Sequence, residues 1–185
     1  NLLNTGPHPL DQALCLFGFD KKPDVHCVMD RVTNYGNAED FVKLVLSGKG
    51  RPTIDLEIHS CDPYRQFVYK VCGEMGGLIG DTEQLKWQYY NKKKAPQLKL
   101  HRKPISAEDG SPTYCTDDLT WIKKSWKVPK SESHLFNSMA ARFYKMLHKT
   151  LTEGAPLEIT PEQVRMQIGV IEQCRKQNPQ IYPKG

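Results

Sequence analysis

Between residues 25 and 90, short stretches in which apolar residues return at every second position are separated by turn residues, and this alternation decides most of what the chain can become. Its clearest run is Arg51 to Ser60, where Ile54, Leu56 and Ile58 alternate with Asp55, Glu57 and His59. Successive side chains on a strand point to opposite faces, so the run reads as an antiparallel strand, buried on one side and wet on the other. Val25 to Val32 follows the same rule through Val25, Cys27 and Met29, and Asp40 to Leu46 is a second strand. Ser47-Gly48-Lys49-Gly50 is the clearest hairpin signal in the sequence. Tyr64 to Val71, a short piece within Gly73 to Asp81, and Leu85 to Tyr90 add strands, while Leu119–Trp121 and Trp126–Val128 pair with or cover a sheet end. The glycines of residues 73–81 are turn residues and not a phosphate loop: no Lys-Ser/Thr ending and no helix pattern follows them.

Helical periodicity flanks these strands. Leu10, Leu14 and Phe17 form one stripe, with Thr5 placed to cap the helix, Pro7 in its first turn and Gly18 as its stop. Leu135, Met139, Phe143 and Leu147, widened by Phe136, Ala140 and Met146, predict a core-facing helix ending at Gly154-Ala155-Pro156. Thr160-Pro161-Glu162-Gln163 is a capping-box start, with Val164, Ile168, Ile171 and Cys174 as the buried stripe and Asn178-Pro179 as the stop. A helix, then strands with antiparallel turn chemistry, then two helices argues an α+β fold: a largely antiparallel open sheet with helices packed on one face. Residues 1–185 are read as a single domain with a polar excursion over residues 91–131. The free sheet face carries Asp55, Glu57 and His59, with Asp30 or Lys43, and is either solvated or a surface for a partner.

Composition removes several function classes. Charged residues are 25% and hydrophobic ones 38%, and no apolar run approaches the ~20 residues of a membrane span. The net charge of +5 is concentrated in Lys92–Lys94, Lys99 and His101–Lys103, but no interleaved aromatics or nucleic-acid motif accompany it, and acidic residues follow. A solvated loop is expected there, with no nucleic acid and no membrane as partner. Cysteines 15, 27, 61, 72, 115 and 174 form no C-x-x-C pair, which argues against zinc and for buried free thiols in a reducing, cytoplasmic setting. Trp121 and Trp126 are expected to pack over the core edge rather than stack on a sugar. The chain opens Asn1-Leu2-Leu3 beside a helix start, as expected of a fragment or processed product whose export signal, if any, has been removed.

The chemistry-bearing array lies at the first helix. His8, Asp11 and Gln12 stand at i, i+3 and i+4 on one face, and Asn4 lies just before the turn. By spacing alone a histidine at a helix start is more often a surface or capping residue than a catalyst.

Gly6-Pro7-His8-Pro9-Leu10-Asp11-Gln12-Ala13-Leu14 resembles the G-x-H-x-x-D-Q-A-L segment that opens the C-terminal domain of the glucose–fructose oxidoreductase / inositol dehydrogenase (Gfo/Idh/MocA) family. The likeness continues through Asp40-Phe41, Phe67-Val68-Tyr69, and Leu151 to Leu157 followed by Thr160 to Val164. The resemblance implies a substrate-binding and oligomerisation domain of an NAD(P)-dependent oxidoreductase acting on a sugar or polyol derivative, with homo-oligomers formed through the open sheet face. It implies NAD or NADP in the full-length parent, on an N-terminal Rossmann domain that also supplies a general acid/base lysine; this chain has no G-x-G-x-x-G opening a helix after a strand. No cofactor is therefore expected in this chain alone, which is expected to be inactive. The resemblance places His8 against the substrate hydroxyl that loses its proton, where an imidazole can accept or relay that proton. Many members carry aspartate where this chain has Asn4, an amide that can orient a hydroxyl but not take its proton. Asp11 binds substrate or orients the helix start. Asn4 also favours a second expectation, a non-catalytic sheet-faced binding or dimerisation module.

Overall fold

The computed structural model describes residues 1–33, 36–64, 68–97, 102, 104–113 and 119–182. In chain order its elements are α1 (Pro7–Phe17), β1 (Asp24–Asp30), β2 (Phe41–Ser47), β3 (Ile54–His59), β4 (Tyr69–Gly73), β5 (Gly76–Gly80), β6 (Gln84–Tyr90), β7 (Trp121–Lys127), α2 (Leu135–Glu153) and α3 (Pro161–Gln177). The fold is α+β, with three helices and two open antiparallel sheets ordered β1-β2-β3 and β4-β5-β6-β7. Two compact units result, Asn1–Tyr64 with Phe143–Gly185, and Arg65–Arg142.

The first unit holds the core. Val42, Leu44 and Leu46 of the central strand β2 are buried, joined by Cys27 and Met29 of β1 and Ile58 of β3. Onto this face pack α1 through Leu10, Ala13, Leu14 and Phe17, and α3 through Val170, Ile171 and Cys174. An 11-residue helix is marginal by itself, so α1 depends on this burial, about 1.5–3 kcal/mol for each large side chain removed from water. Gly18 ends α1 at φ +99°, a conformation that favours glycine, and its N–H reaches Leu14 O at 2.8 Å. The cap of α1 is Gly6 and not Thr5, and no side chain caps it. The capping box of α3 forms as expected: Thr160 Oγ1 accepts from Gln163 N at 3.3 Å, and Gln163 Oε1 accepts from Thr160 N at 2.9 Å.

The outer edge of β1 is completed by side-chain amides. Gln177 Oε1 accepts from Cys27 N (2.8 Å) and its Nε2 donates to Val25 O (2.8 Å). Asn178 Oδ1 accepts from Met29 N (2.9 Å), and its Nδ2 donates to Cys27 O (3.0 Å) and Cys174 O (2.8 Å). Residues 25, 27 and 29 are the β1 positions whose backbone groups point away from β2, so these amides stand where a fourth strand would pair.

Several sequence expectations are corrected here. The stripe of α2 was expected in the core, but none of its residues is buried, and Phe136 is 79% exposed. Amphipathicity signals that a face needs cover without saying where the cover comes from. Val164 and Ile168 of α3 are likewise exposed, because only the C-terminal half of α3 carries buried residues. Cys15 is exposed while Cys27 and Cys174 are buried; the described cysteines are all free, and Cys115 lies outside the described residues. Tyr64 precedes any strand, residues 65–67 lie outside the described ones, and β4 starts at Tyr69. The two tryptophan segments are one continuous strand, β7.

In the second unit the sheet has two unlike faces. The register places Tyr69, Val71, Leu78, Leu85, Trp87 and Trp126 on one side and Lys70, Lys86, Lys123 and Lys127 on the other. Gly76 is forced by close approach: a Cβ there would lie 2.1 Å from Gln88 O. Trp121 meets Tyr90 edge-on, with ring centroids 5.8 Å apart, on the face opposite Trp126. The basic stretch expected over residues 92–103 is described only in part: Lys92–Lys94 form an exposed turn, Arg102 is exposed, and Lys99, His101 and Lys103 lie outside the described residues.

Candidate functional site

Helix α1 separates structure from chemistry by its two sides. Leu10, Ala13, Leu14 and Phe17 face the core, while His8, Asp11, Gln12 and Cys15 lie on the opposite, exposed side. His8 and Asp11 thus share one solvent-facing strip, and Asn4 is exposed in the turn that leads into it. Among the described residues the His8 imidazole makes no hydrogen bond, so both ring nitrogens remain open to a ligand. Cys15 is a poor nucleophile here, since partial burial and then the Asp11 carboxylate push its thiol above the ordinary range.

The start of α1 is tied down from four directions. Leu2 is fully buried, and Gly6 sits so close to it that a Cβ would lie 2.4 Å from Leu2 O. Asn1 Nδ2 donates to Asp40 O (2.8 Å) and Ser60 Oγ (3.1 Å). Glu39, buried, accepts from Leu2 N at 2.6 Å and from the Tyr182 hydroxyl. Gln167 of α3 donates to Pro7 O. Burial pushes the Glu39 carboxyl up, but the Tyr182 and Leu2 hydrogen bonds outweigh it and hold Glu39 below the usual carboxylate range. The same site pushes Tyr182 up to about 12, by burial first and the Glu39 carboxylate second. None of Glu39, Gln167 and Tyr182 carries a sequence signal, because each acts across more than a hundred residues or from a loop.

The free face of β1-β2-β3 is as the alternation requires. Lys43 bridges Asp55 (3.2 Å) and Glu57 (2.6 Å), which lie on the neighbouring strand. His59 stacks on Phe41 with centroids 6.2 Å apart, and its Nδ1 is buried without a hydrogen-bond partner among the described residues. Across the core side, Cys27 and Cys174 share a hydrogen bond that, with burial, drives the Cys27 thiol far above the ordinary range, while the same bond lowers that of Cys174.

The second unit offers two open troughs. One, of about 650 Å³, lies over Gly77 with Lys70, Lys86, Lys123 and Gln88 around it. The other, of about 930 Å³, lies over Gly76 among Leu78, Leu85, Trp87, Tyr89 and Trp126. Among the described residues no three His, Cys, Asp or Glu side chains converge to hold a metal, and no helix is long and apolar enough to cross a membrane. Every described strand pair is antiparallel. The β-α-β crossover that sets a dinucleotide pyrophosphate on a helix N-terminus is therefore absent among them.

No protein-family model and no curated protein matches the sequence. Solved structures do match the fold. An oxidoreductase from Bacillus cereus superposes with a TM-score of 0.68 at 17% identity, over 95% of this chain and 49% of its own. An NAD-binding protein from Listeria innocua gives 0.62 at 16% identity, over 95% of this chain and 48% of its own. GenD2 from gentamicin A biosynthesis, solved in complex with NAD, gives 0.52 at 11% identity, over 95% of this chain and 45% of its own. The chain thus has the fold of one half of these proteins and spans about half their length.

Proposed function

We propose that this chain is the substrate-binding and oligomerisation half of an NAD(P)-dependent oxidoreductase of the Gfo/Idh/MocA kind, acting on a sugar or polyol derivative. The observation that carries the reading is the correspondence of nearly the whole chain to one half of an oxidoreductase from Bacillus cereus and of GenD2, the latter solved in complex with NAD. The cofactor, NAD or NADP, belongs to the other half, as does a general acid/base lysine. His8 accepts a hydrogen bond from the substrate hydroxyl that loses its proton and relays that proton; an imidazole without a hydrogen-bond partner among the described residues, on a firmly seated helix, suits the task. Asn4 orients a neighbouring hydroxyl, and Asp11 holds substrate or the helix start.

In the full-length protein, His8→Ala lowers kcat by about 10²-fold or more, the usual size of a proton-transfer contribution, while the melting temperature holds. Unchanged turnover removes His8 from the mechanism. The alternative, a non-catalytic binding or dimerisation module, is favoured by Asn4 alone. Gene sequence upstream of the Asn1 codon decides between them: a Rossmann fingerprint supports the enzyme, and its absence supports the module.

A further inference from the structure

Cys27 and Cys174 are the two buried cysteines among the described ones, 4% and 0% exposed, and both belong to the core of the first unit. Cys27 stands on the core face of β1 and Cys174 on the inward stripe of α3. One atom ties their backbones together: Asn178 Nδ2 donates to Cys27 O at 3.0 Å and to Cys174 O at 2.8 Å. Their side chains meet as well, since the two thiols share a hydrogen bond. A disulfide needs two residues whose Cα atoms lie about 4.4–6.8 Å apart and whose side chains point at each other. Carbonyls held by one nitrogen, with sulfurs in hydrogen-bond reach, are the placement from which such a bond closes.

We propose that Cys27 and Cys174 are a reversible redox pair, bridged by hydrogen peroxide into a disulfide that locks α3 onto β1. The inference concerns the first unit alone and does not depend on the oxidoreductase reading. The shared hydrogen bond sets the roles, because it favours the thiolate at Cys174 and the thiol at Cys27. Cys174 is therefore the attacking sulfur and Cys27 the resolving one. Cys174 Sγ, as thiolate, attacks one peroxide oxygen; the O–O bond breaks, and the hydroxide released takes up the proton that Cys174 lost. Cys27 Sγ then attacks the sulfenic acid so formed. The S–S bond forms, the S–O bond breaks, and the hydroxyl leaves as water with the Cys27 proton. Two thiols and one peroxide thus give one disulfide and two waters, and the sulfurs lose the two electrons that the peroxide gains. Peroxide is small and reaches the pair when the C-terminal end of α3 opens locally. A bridge from residue 27 to residue 174 closes most of the chain into one loop, the kind of closure that most constrains an unfolded chain. Gln167 of the same helix donates to Pro7 O, so locking α3 also secures the seat of the helix that carries His8.

The test maps the bridge in the purified protein under native conditions. After treatment with hydrogen peroxide, free thiols are alkylated and the protein is digested with trypsin without reductant. The tryptic peptides Lys22–Arg31 and Met166–Arg175 each hold one cysteine. They are expected as one linked species, two hydrogens lighter than the separate pair, which dithiothreitol splits. The peroxide-treated protein melts about 5 °C or more above the same sample after dithiothreitol. Cys27→Ser abolishes that difference, and Cys27→Ala does the same should a hydroxyl not be tolerated in the core. Recovery of both peptides alkylated after peroxide overturns the proposal, as does Cys174 carried on to sulfinic acid while Cys27 stays alkylated. A bridge from either residue to another cysteine overturns the pairing. A mapped bridge that leaves the melting temperature unchanged overturns the lock.

Discussion

Replacing Asn178 with alanine is the sharpest test of how the first unit is closed. The side chain is 3% exposed and makes three hydrogen bonds into the outer edge of β1 and the end of α3. Truncation leaves the buried Met29 N–H without its acceptor and Cys27 O without its donor, and each orphaned buried group costs about 1–3 kcal/mol. The loss expected is about 3 kcal/mol, a large share of the ~5–15 kcal/mol by which a domain is stable. Gln177→Ala serves as the internal comparison. Its two bonds lie further toward solvent, where water replaces the lost partner, so its cost is about 1 kcal/mol.

Asn178→Asp separates hydrogen bonding from packing. The new carboxylate keeps an acceptor for Met29 N but turns an oxygen toward Cys27 O and Cys174 O, where only a donor fits. Protonation restores the donor, so the folded state raises this carboxyl above its unfolded value of about 3.9. The variant therefore matches the wild type most closely below about pH 4 and falls behind as pH rises. Urea unfolding of the wild type and the three variants at two pH values measures all of this. A cost for Asn178→Ala below about 1 kcal/mol, or no greater than that of Gln177→Ala, refutes the idea that amides substitute for a missing strand.

Leu14→Ala removes a fully buried side chain of α1 and costs about 2–5 kcal/mol, whereas Leu16→Ala, at a position 64% exposed, stays within about 0.5 kcal/mol; thermal melts compare the two. Gly6→Ala drives a Cβ to within 2.4 Å of Leu2 O, so the turn bearing Asn4 must move, at a cost of about 1–3 kcal/mol read by urea unfolding. Glu39 has a lowered folded pKa, so its ionised form contributes stability that is complete above about pH 5 and is lost as pH falls through the folded value. Glu39→Gln accordingly flattens the acid limb of the stability curve, seen in urea midpoints collected between about pH 2 and pH 6.

Much of the first unit was legible because its residues obey rules that act over a few positions. Thr160 and Gln163 are three residues apart and cap each other, Gly18 adopts the positive φ that ends a helix, and Ile54, Leu56 and Ile58 alternate as one face of a strand must. The second unit was harder to read for a physical reason. All seven residues of β7 are exposed, so no buried face imposes a period of two, and Lys123-Lys124-Ser125 conceal the strand between its tryptophans. The helix α2 misled in the opposite direction: its stripe is real, but its cover is not supplied within the described residues. Amides at 177 and 178 read as a polar stop to a helix, since nothing in a local pattern says they reach an edge strand about 150 positions earlier.

For the site, the sequence offered spacing and the structure adds support. An i, i+3 pair on a short helix would be worth little if the helix frayed, because hydrogen bonding to a substrate needs positions held to a fraction of an ångström. Here the inward stripe of α1 is buried, and the residues before it are held by Glu39, Asp40 and Ser60 while Gln167 holds Pro7. Those ties come from β2, β3 and α3 or the loops beside them, so the position of His8 depends on the whole first unit and not on its own helix. Among the described residues no side chain hydrogen-bonds the His8 imidazole. A side chain so placed is free to meet a group brought by another part of the protein, and its own surroundings ask nothing else of it.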